Sequence, residues 1–219
     1  VGILQPNFDP YQKFEHLTQD QQNAILEEQL TGLLAGRDTL DQTPLLVLAP
    51  ETFTGDVVAD EIESGRTWRR FNADLSRYNG VNMMFGASSY EFIQSDTQPS
   101  KTARPAGEGW WSESHNSALM VDGTGRTEIF HKSKLVVAVE MTPYPGLFCK
   151  IDDMLGGVMG RCIGQEEISL LNIKAGDVTI PVGSAVCYES IYGEYCTGYV
   201  RKGARLMTVI TNDSWWGNT

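Results

Sequence analysis

The feature that most constrains the fold is a short apolar run, Leu45–Ala49, which lies between Pro44 and Pro50. The run is too short for a typical helix and apolar at every position, so it predicts a β-strand covered on both faces. Two further apolar segments, Val182–Val186 and Leu206–Ile210, also have the length of a strand. Strands of this kind, alternating with helices, predict a mixed α/β fold built from packed layers.

Strand and helix patterns alternate along the rest of the chain. Apolar residues at an approximate helical period predict a helix over Glu15–Leu34, and a second helix is predicted over Arg66–Tyr78. Asp122–Gly125 has the composition of a tight turn and predicts a β-hairpin. Gln94–Ser114 is expected to be a long polar loop, and the glycine-rich Pro143–Gly164 is expected to be irregular. The remaining predicted elements are strands at 1–5, 81–88, 116–121, 127–131, 167–173 and 177–180 and a helix at 190–202.

Charge and hydropathy exclude several classes of protein. The 219 residues carry 17 Lys and Arg against 28 Asp and Glu, a net charge of −11, and no basic cluster that could face phosphates. We therefore expect no nucleic-acid partner. No segment approaches the roughly 18 apolar residues of a membrane span, and no signal peptide is visible. A core-like strand at Val1 and an end directly after a Trp-Trp-Gly turn predict a single domain, 1–219, cut from a longer protein.

The four cysteines are Cys149, Cys162, Cys187 and Cys196. None forms a CxxC pair, and the chain has only 3 His, so the sequence predicts no zinc or other metal site. Cys149 and Cys162 enclose a glycine-rich segment and could form a disulfide in an oxidising compartment. The spacing alone leaves both the paired and the free state open.

Three polar residues follow predicted strands, namely Glu51, Lys132 and Cys187. Reactive groups of open α/β sheets gather at the carboxyl ends of strands, so these side chains are candidates for one site. Taken singly, each has an ordinary explanation: a solvated turn glutamate, a solvated lysine, or a cysteine that packs as a small apolar residue. The case for a catalytic site therefore depends on their combination.

Several motifs accompany these residues in chain order. They are Gln5-Pro6-Asn7, Pro50-Glu51, His115-Asn116-Ser117-Ala118, His131-Lys132 with Glu140, Cys187-Tyr188-Glu189 and Asn212-Asp213-Ser214-Trp215-Trp216-Gly217. The ordered set resembles the carbon–nitrogen hydrolase (nitrilase) superfamily, whose members carry Glu, Lys and Cys at the ends of different strands of an αββα sandwich. Within that superfamily the motifs are most similar to those of the bacterial apolipoprotein N-acyltransferases.

The resemblance has two departures. Family members often have Leu-Val-Pro-Phe-Gly-Glu after the lysine, whereas this chain has Leu135-Val136-Val137-Ala138-Val139-Glu140. The eight-residue step from Lys132 to Glu140 is kept, which favours Lys132 over Lys134 as the catalytic lysine. The family domain also continues beyond the Asn-Asp-Ser-Trp motif and is flanked by membrane helices. The resemblance therefore implies a sandwich truncated at its C-terminal end, on the periplasmic face of the bacterial inner membrane.

The resemblance implies Cys187 as the nucleophile, Glu51 as the base and Lys132 as the charge that holds the thiolate and the oxyanion. This division suits the chemistry, because a free cysteine with a pKa near ~8.5 is only slightly ionised at neutral pH. The backbone N–H of Tyr188 is expected to be a second oxyanion donor.

Other expected site residues support this machinery. Glu140 and Glu189 are expected to orient Lys132 and the incoming amine, with ion pairing to a nearby Arg or Lys as the alternative. Trp110 and Trp111 are expected to form a lid that touches acyl chains or to pin their own loop. Asn116 and Trp215 are further candidates for substrate binding, and Trp216 is expected to pack on the missing part of the domain.

The implied reaction moves an acyl chain from the sn-1 ester of a phospholipid, through a thioester on Cys187, to the α-amino group of a diacylglyceryl-cysteine. It needs no cofactor. The partners are a phospholipid, a diacylated apolipoprotein and the inner membrane. One alternative is a soluble amidase of the same superfamily, in which water resolves the thioester. Another is a catalytically inactive module used as an interaction scaffold, but that would predict a broken triad.

Overall fold

The structure is a computed structural model that describes residues 1–8, 13, 16–157 and 159–212. Its helices are α1 (Gln19–Leu34), α2 (Arg66–Leu75), α3 (Pro145–Met154) and α4 (Gly193–Arg201). Its strands are β1 (Gly2–Ile3), β2 (Leu45–Leu48), β3 (Thr54–Val58), β4 (Val81–Gln94), β5 (Arg104–Gly107), β6 (Trp110–Val121), β7 (Thr127–His131), β8 (Leu171–Ala175), β9 (Val178–Val186) and β10 (Leu206–Ile210). Short 3₁₀ turns follow β3 at Ala59–Ser64 and β9 at Cys187–Ile191.

Strand β4 organises a seven-stranded sheet. β2 and β3 pair in parallel with successive parts of one edge of β4, and β6 pairs in antiparallel fashion with the other edge. β1 extends the sheet beyond β2, while β5 and β7 pair with successive parts of β6. The turn at Asp122–Gly125 joins β6 to β7, as the sequence predicted. The described residues form a second sheet of three strands, in which β9 lies between β8 and β10.

Alternate residues of β4 face two different hydrophobic cores. Phe85 points toward the helical layer, where its ring lies 5.8 Å from that of Phe71 in α2, beside Leu26 of α1. Met84, one residue earlier, points toward the second sheet and packs with Val182 of β9. This alternation follows from the two-residue period of a strand and explains why these strands are apolar on both faces. With α4 packed on β9, the predicted αββα sandwich is confirmed.

Most predicted elements are present with shifted ends. α1 begins at Gln19 because Thr18 accepts a hydrogen bond from the backbone N–H of Gln21, whose side chain accepts one from the Thr18 N–H in return. This capping box satisfies backbone donors that the helix leaves free. None of the helices in the described part of the chain combines the length and the hydrophobicity that a membrane crossing needs.

Two predicted irregular segments contain regular structure. The predicted loop at 94–114 is wrong, because β5 and the first part of β6 lie within it and Trp110 pairs with Gln94. These strands extend past the core with polar residues on both faces, so no apolar alternation marks them. The segment at 143–164 contains α3, which buries only Cys149 and Asp152 and so has a weak helical pattern. All four cysteines are free thiols.

Candidate active site

Glu51 lies just beyond the end of β2, in a turn that packs directly on β4. The backbone N–H of Gly86 donates to Pro50 O (2.9 Å), and Phe53 N donates to Gly86 O (2.8 Å). A Cβ atom at position 86 would lie 2.5 Å from the Cα of Glu51, so only glycine allows this approach. The turn thereby holds the Glu51 carboxylate against the middle of the sheet, where it is buried.

Lys132 follows β7, and its side chain is 1% exposed. Its backbone N–H donates to Asn116 O (2.7 Å), which continues the β6–β7 ladder by one residue. The Nζ atom lies 3.2 Å from Glu51 Oε1 and 2.9 Å from Glu140 Oε1. One buried ammonium group is therefore shared by two carboxylates that come from different loops.

The side-chain amide of Asn116 connects the same two carboxylates. Its Nδ2 donates to Glu51 Oε1 (2.7 Å) and to Glu140 Oε1 (2.6 Å), which uses both of its N–H groups. Glu140 Oε2 accepts a further hydrogen bond from Val136 N (2.7 Å). The arrangement fixes both carboxylates around Lys132. Asn116 was expected to bind substrate, and the structure places it in this buried network.

Cys187 begins the 3₁₀ turn after β9 and has a left-handed backbone, with φ of 50°. A non-glycine residue in this region is uncommon and often marks a constrained functional position. Ser190 Oγ donates to Cys187 O (2.8 Å), and the thiol is half-buried. Glu51 and Lys132 are both close enough to act on its charge.

The electrostatics of the site favour a protonated thiol beside a charged lysine. Burial raises the pKa of Cys187 above its ordinary value, Glu51 raises it further, and Lys132 opposes both effects only in part. Burial acts to lower the pKa of Lys132, but the carboxylates of Glu51 and Glu140 outweigh it and raise that pKa. A nucleophilic role for Cys187 therefore requires a base that removes its proton, and Glu51 is beside it.

Glu189 has a different environment from the one expected. It is fully buried, and its Oε1 accepts hydrogen bonds from Ser133 N (2.7 Å) and Lys134 N (3.0 Å), while Oε2 accepts from Val186 N (2.9 Å). Burial raises the pKa of Glu189, and these N–H groups oppose that shift. The carboxylate thus connects the turn that carries Cys187 to the loop that follows Lys132.

The remaining predicted residues are distributed around this centre. Lys134 is exposed and its Nζ lies 5.4 Å from the centre of the Tyr195 ring, so Lys132 is the lysine that faces Glu51. Tyr188 is 40% exposed, and its ring packs edge-on against that of Tyr192. Trp215 and Trp216 lie outside the described residues, so the predictions for them stand untested.

Trp110 and Trp111 lie in a strand and not in the predicted loop. Trp110 is exposed at the start of β6, and Trp111 Nε1 donates to Ser95 O (3.1 Å). Both residues precede Asn116 in the same strand, and six residues of extended chain separate Trp110 from Asn116 by about 20 Å. The indole of Trp111 therefore pins the outer end of β6 to the segment after β4.

Lys13 is a buried residue near the site that no sequence motif indicated. Its Nζ donates to Thr52 O, and the residue is 4% exposed. Burial lowers the pKa of Lys13 to about 8, although the negative charge of Glu51 acts in the opposite direction. A second cation thus lies beside the turn that carries Glu51.

The raised pKa of Cys187 predicts the pH dependence of its alkylation. Iodoacetamide reacts with the thiolate, so the alkylation rate of Cys187 should rise with a midpoint above the ~8.5 of a free cysteine. Glu51→Gln removes a charge that raises this pKa, so the midpoint should move to lower pH. Rates measured by peptide mass spectrometry against pH test this shift.

Cys196 is the internal control for that measurement, because burial and Glu189 raise its pKa and Glu51 has no part in it. Its profile should be the same in both proteins. An unchanged Cys187 profile in Glu51→Gln would show that the two side chains do not interact.

Comparison with solved structures defines the fold of the chain. Nit3 of Saccharomyces cerevisiae, a nitrilase-superfamily member, matches with a TM-score of 0.55 at 12% identity, over 88% of this chain and 59% of that one. An amidase from Nesterenkonia sp. matches with a TM-score of 0.52 at 14% identity, over 92% of this chain and 64% of that one. The chain has the nitrilase (carbon–nitrogen hydrolase) fold.

Sequence comparison shows which enzymes the chain is similar to. The chain is 23% identical over its whole length to the apolipoprotein N-acyltransferase of Chlorobaculum tepidum, and the match covers 40% of that protein. The enzymes of the same name from Thermotoga maritima and Geobacter metallireducens are 29% and 32% identical over 108 residues, about half of this chain and about a fifth of theirs. No protein-family model matches the chain. The predicted resemblance to apolipoprotein N-acyltransferases is thus confirmed, for a chain that spans less than half of these relatives.

Proposed function

We propose that this chain is the catalytic domain of an apolipoprotein N-acyltransferase. It would move an acyl chain from the sn-1 ester of a phospholipid to the N-terminal α-amino group of a diacylglyceryl-cysteine. The observation that carries the proposal is the meeting of Glu51, Lys132 and Cys187 from three strand ends, in a chain similar to these enzymes along its length. The chemistry needs no cofactor.

In the first half-reaction, Glu51 removes the Sγ proton of Cys187 while the sulfur attacks the ester carbonyl carbon. The negative charge that develops on the carbonyl oxygen is stabilised by the Lys132 ammonium and by the backbone N–H of Tyr188. The C–O bond then breaks, Glu51 returns its proton to the departing lysophospholipid oxygen, and the acyl chain remains on Cys187 as a thioester.

In the second half-reaction, the neutral α-amino group attacks the thioester carbonyl carbon. Glu51 accepts a proton from the amine as the C–N bond forms, and the C–S bond breaks. The proton then returns to the sulfur of Cys187, which restores the resting enzyme. Glu140 and Asn116 keep Lys132 and Glu51 in place through both steps and do not themselves exchange atoms with the substrate.

An exposed apolar segment beside the site supports a lipid substrate. Val139, Tyr144, Met154 and Leu155 are between 69% and 86% exposed, and they flank or lie within α3. Exposed apolar side chains in such number are typical of a surface that contacts a lipid or another protein. Their segment also contains Glu140, which supports this face as the one that would receive acyl chains at the periplasmic side of the inner membrane.

A second candidate function is hydrolysis of a small amide, with water resolving the thioester. It is favoured by the fold similarity to the amidase from Nesterenkonia sp.. The two functions share the first half of the chemistry and differ in the acyl acceptor.

Trapping the intermediate tests the proposal. The intact protein is incubated in detergent with a phospholipid but no acceptor, digested, and analysed by mass spectrometry. We expect a hydroxylamine-labile acyl group on the peptide that contains Cys187. An acyl group on Cys149, Cys162 or Cys196 would contradict the assignment of the nucleophile. Hydrolysis of a small amide without any phospholipid-derived thioester would favour the amidase.

A further inference from the structure

Three potential metal ligands lie together on the outer face of the large sheet. They are Glu91 of β4, His115 of β6 and His131 of β7, and one ligand atom of each lies within 4.8 Å of the other two. The strand register explains the cluster, because His115 pairs with Ser89, two residues before Glu91, and His131 pairs with Ser117, two residues after His115. Side chains two residues apart on neighbouring strands share one face of a sheet.

This cluster is separate from the candidate active site. Asn116 and Lys132 each follow a histidine of the cluster by one residue. Successive side chains of an extended chain point to opposite faces, so the histidines face away from the site in which Asn116 and Lys132 lie. None of the proposed chemistry uses Glu91, His115 or His131.

His115 presents a buried ring nitrogen that has no hydrogen-bond partner in the described part of the chain. Its Nδ1 lies 2.8 Å from Ile163 O, and a carbonyl oxygen only accepts, so the proton is on Nδ1. The other nitrogen, Nε2, has no hydrogen-bond partner among the described residues, and the residue is only 6% exposed. Glu91 Oε1 is 3.8 Å from this atom. A histidine fixed by a backbone carbonyl with its other nitrogen free is the arrangement found at metal sites.

The ring of His131 is also held by a hydrogen bond at Nδ1. Its Nδ1 lies 2.7 Å from Ser117 Oγ, which is in turn 2.6 Å from Ser89 Oγ. The His115 and His131 rings are stacked with centroids 4.2 Å apart and planes 29° apart. Nε2 of His115 is left to face Glu91.

We propose that Glu91, His115 and His131 form a binding site for a divalent transition-metal ion such as Zn²⁺. Two imidazole nitrogens and one carboxylate are a donor set that suits such ions, with the remaining positions open to water. Ligand atoms around tetrahedral zinc lie about 3.3 Å apart, given bond lengths near 2.0–2.1 Å. Rotation of the half-exposed Glu91 side chain can bring its carboxylate closer to the two histidines.

The bound ion would join β4, β6 and β7 at one level of the sheet. That level carries Asn116 and Lys132 on the opposite face, so the ion would stabilise the strands that position the ammonium group. Its role is therefore structural, and metal binding and the acyl-transfer proposal can fail independently of each other.

Zinc titration of the intact protein, stripped of metal with a chelator, tests the site. Calorimetry should detect one binding event, and zinc should raise the unfolding temperature. Glu91→Gln and His131→Ala should each weaken binding by at least about tenfold, because each removes a ligand. Ser117→Ala should weaken it by about tenfold through the hydrogen bond to His131.

The matched control is His16→Ala, which removes the third histidine of the chain and lies outside the cluster. Its zinc affinity should equal that of the wild type. Glu91 is partly exposed, so Glu91→Gln keeps the test valid if a histidine variant fails to fold. Unchanged zinc affinity in Glu91→Gln and His131→Ala would overturn the proposal. So would a thiolate charge-transfer band in the Co²⁺-loaded protein, since it would place the ion on cysteines.

Discussion

Replacing Cys187 with Ala is expected to abolish acyl transfer by the intact protein, with a loss of at least about 10⁴-fold in rate. The reason is that neither the thioester nor any other covalent intermediate can form without this sulfur. Rates of acyl transfer to a diacylated lipopeptide from a labelled phospholipid measure the effect. The unfolding midpoint should change little, because Cys187 is only half-buried.

Cys196→Ala is the matched control. This cysteine lies in α4, and its Sγ is 3.7 Å from Glu189 O, away from Glu51 and Lys132. Its removal should leave the rate within about a factor of two of the wild type, as expected for a substitution outside the site. Retained activity in Cys187→Ala, or equal losses in the two variants, would rule out Cys187 as the nucleophile.

Lys132→Met is expected to reduce both activity and stability. Loss of the charge that stabilises the oxyanion should lower the rate by about 10²–10³-fold. The two carboxylates would lose the buried ammonium group that they share, which costs about 3–5 kcal/mol in the free energy of unfolding. Lys134→Met, at an exposed position two residues later, should change that free energy by less than about 0.5 kcal/mol.

The pH dependence of this stability difference has a definite sign. The folded state raises the pKa of Lys132 above its ordinary value, so its stabilisation is complete below that value and is lost only as the pH rises through the higher folded-state pKa. The difference in the free energy of unfolding between wild type and Lys132→Met should therefore be constant from neutral pH to about pH 9. Denaturation at several pH values measures it.

Adding Glu51→Gln to Lys132→Met should recover part of the lost stability, since it removes one of the two stranded charges. If the double variant is no more stable than Lys132→Met, the energetic coupling between Glu51 and Lys132 is absent.

The layered fold could be predicted because burial on both faces leaves strands with continuous apolar runs, as in Leu45–Ala49. The outer parts of β4 and β6 could not be predicted for the opposite reason. They pair with each other beyond the core, where backbone hydrogen bonds hold them and side chains such as Glu91 and Glu113 are only partly buried. Hydrophobic periodicity carries no information about such strands.

Some residues of the candidate site could also be predicted from the sequence, and others could not. Glu51, Lys132 and Cys187 could be found because each lies at or just beyond the end of a strand, and their order along the chain resembles that of a known superfamily. The contacts made by Asn116 and Lys13 depend on how distant segments meet, and neither residue type nor spacing encodes those contacts. The same holds for Glu91, His115 and His131, whose ligand atoms converge only through the strand register.

The hydrogen bonds of Glu189 have a mechanical consequence. Glu189 follows a strand of the small sheet, and two of its bonds reach the loop that leaves the large sheet after Lys132. Sliding of one sheet over the other would separate the Cys187 thiol from the Lys132 ammonium group. The Glu189 carboxylate resists this movement. Glutamine could not substitute, because its amide nitrogen would confront a backbone N–H. The Glu189 side chain therefore cross-links the two sheets, and this cross-link does not depend on the redox state of its surroundings.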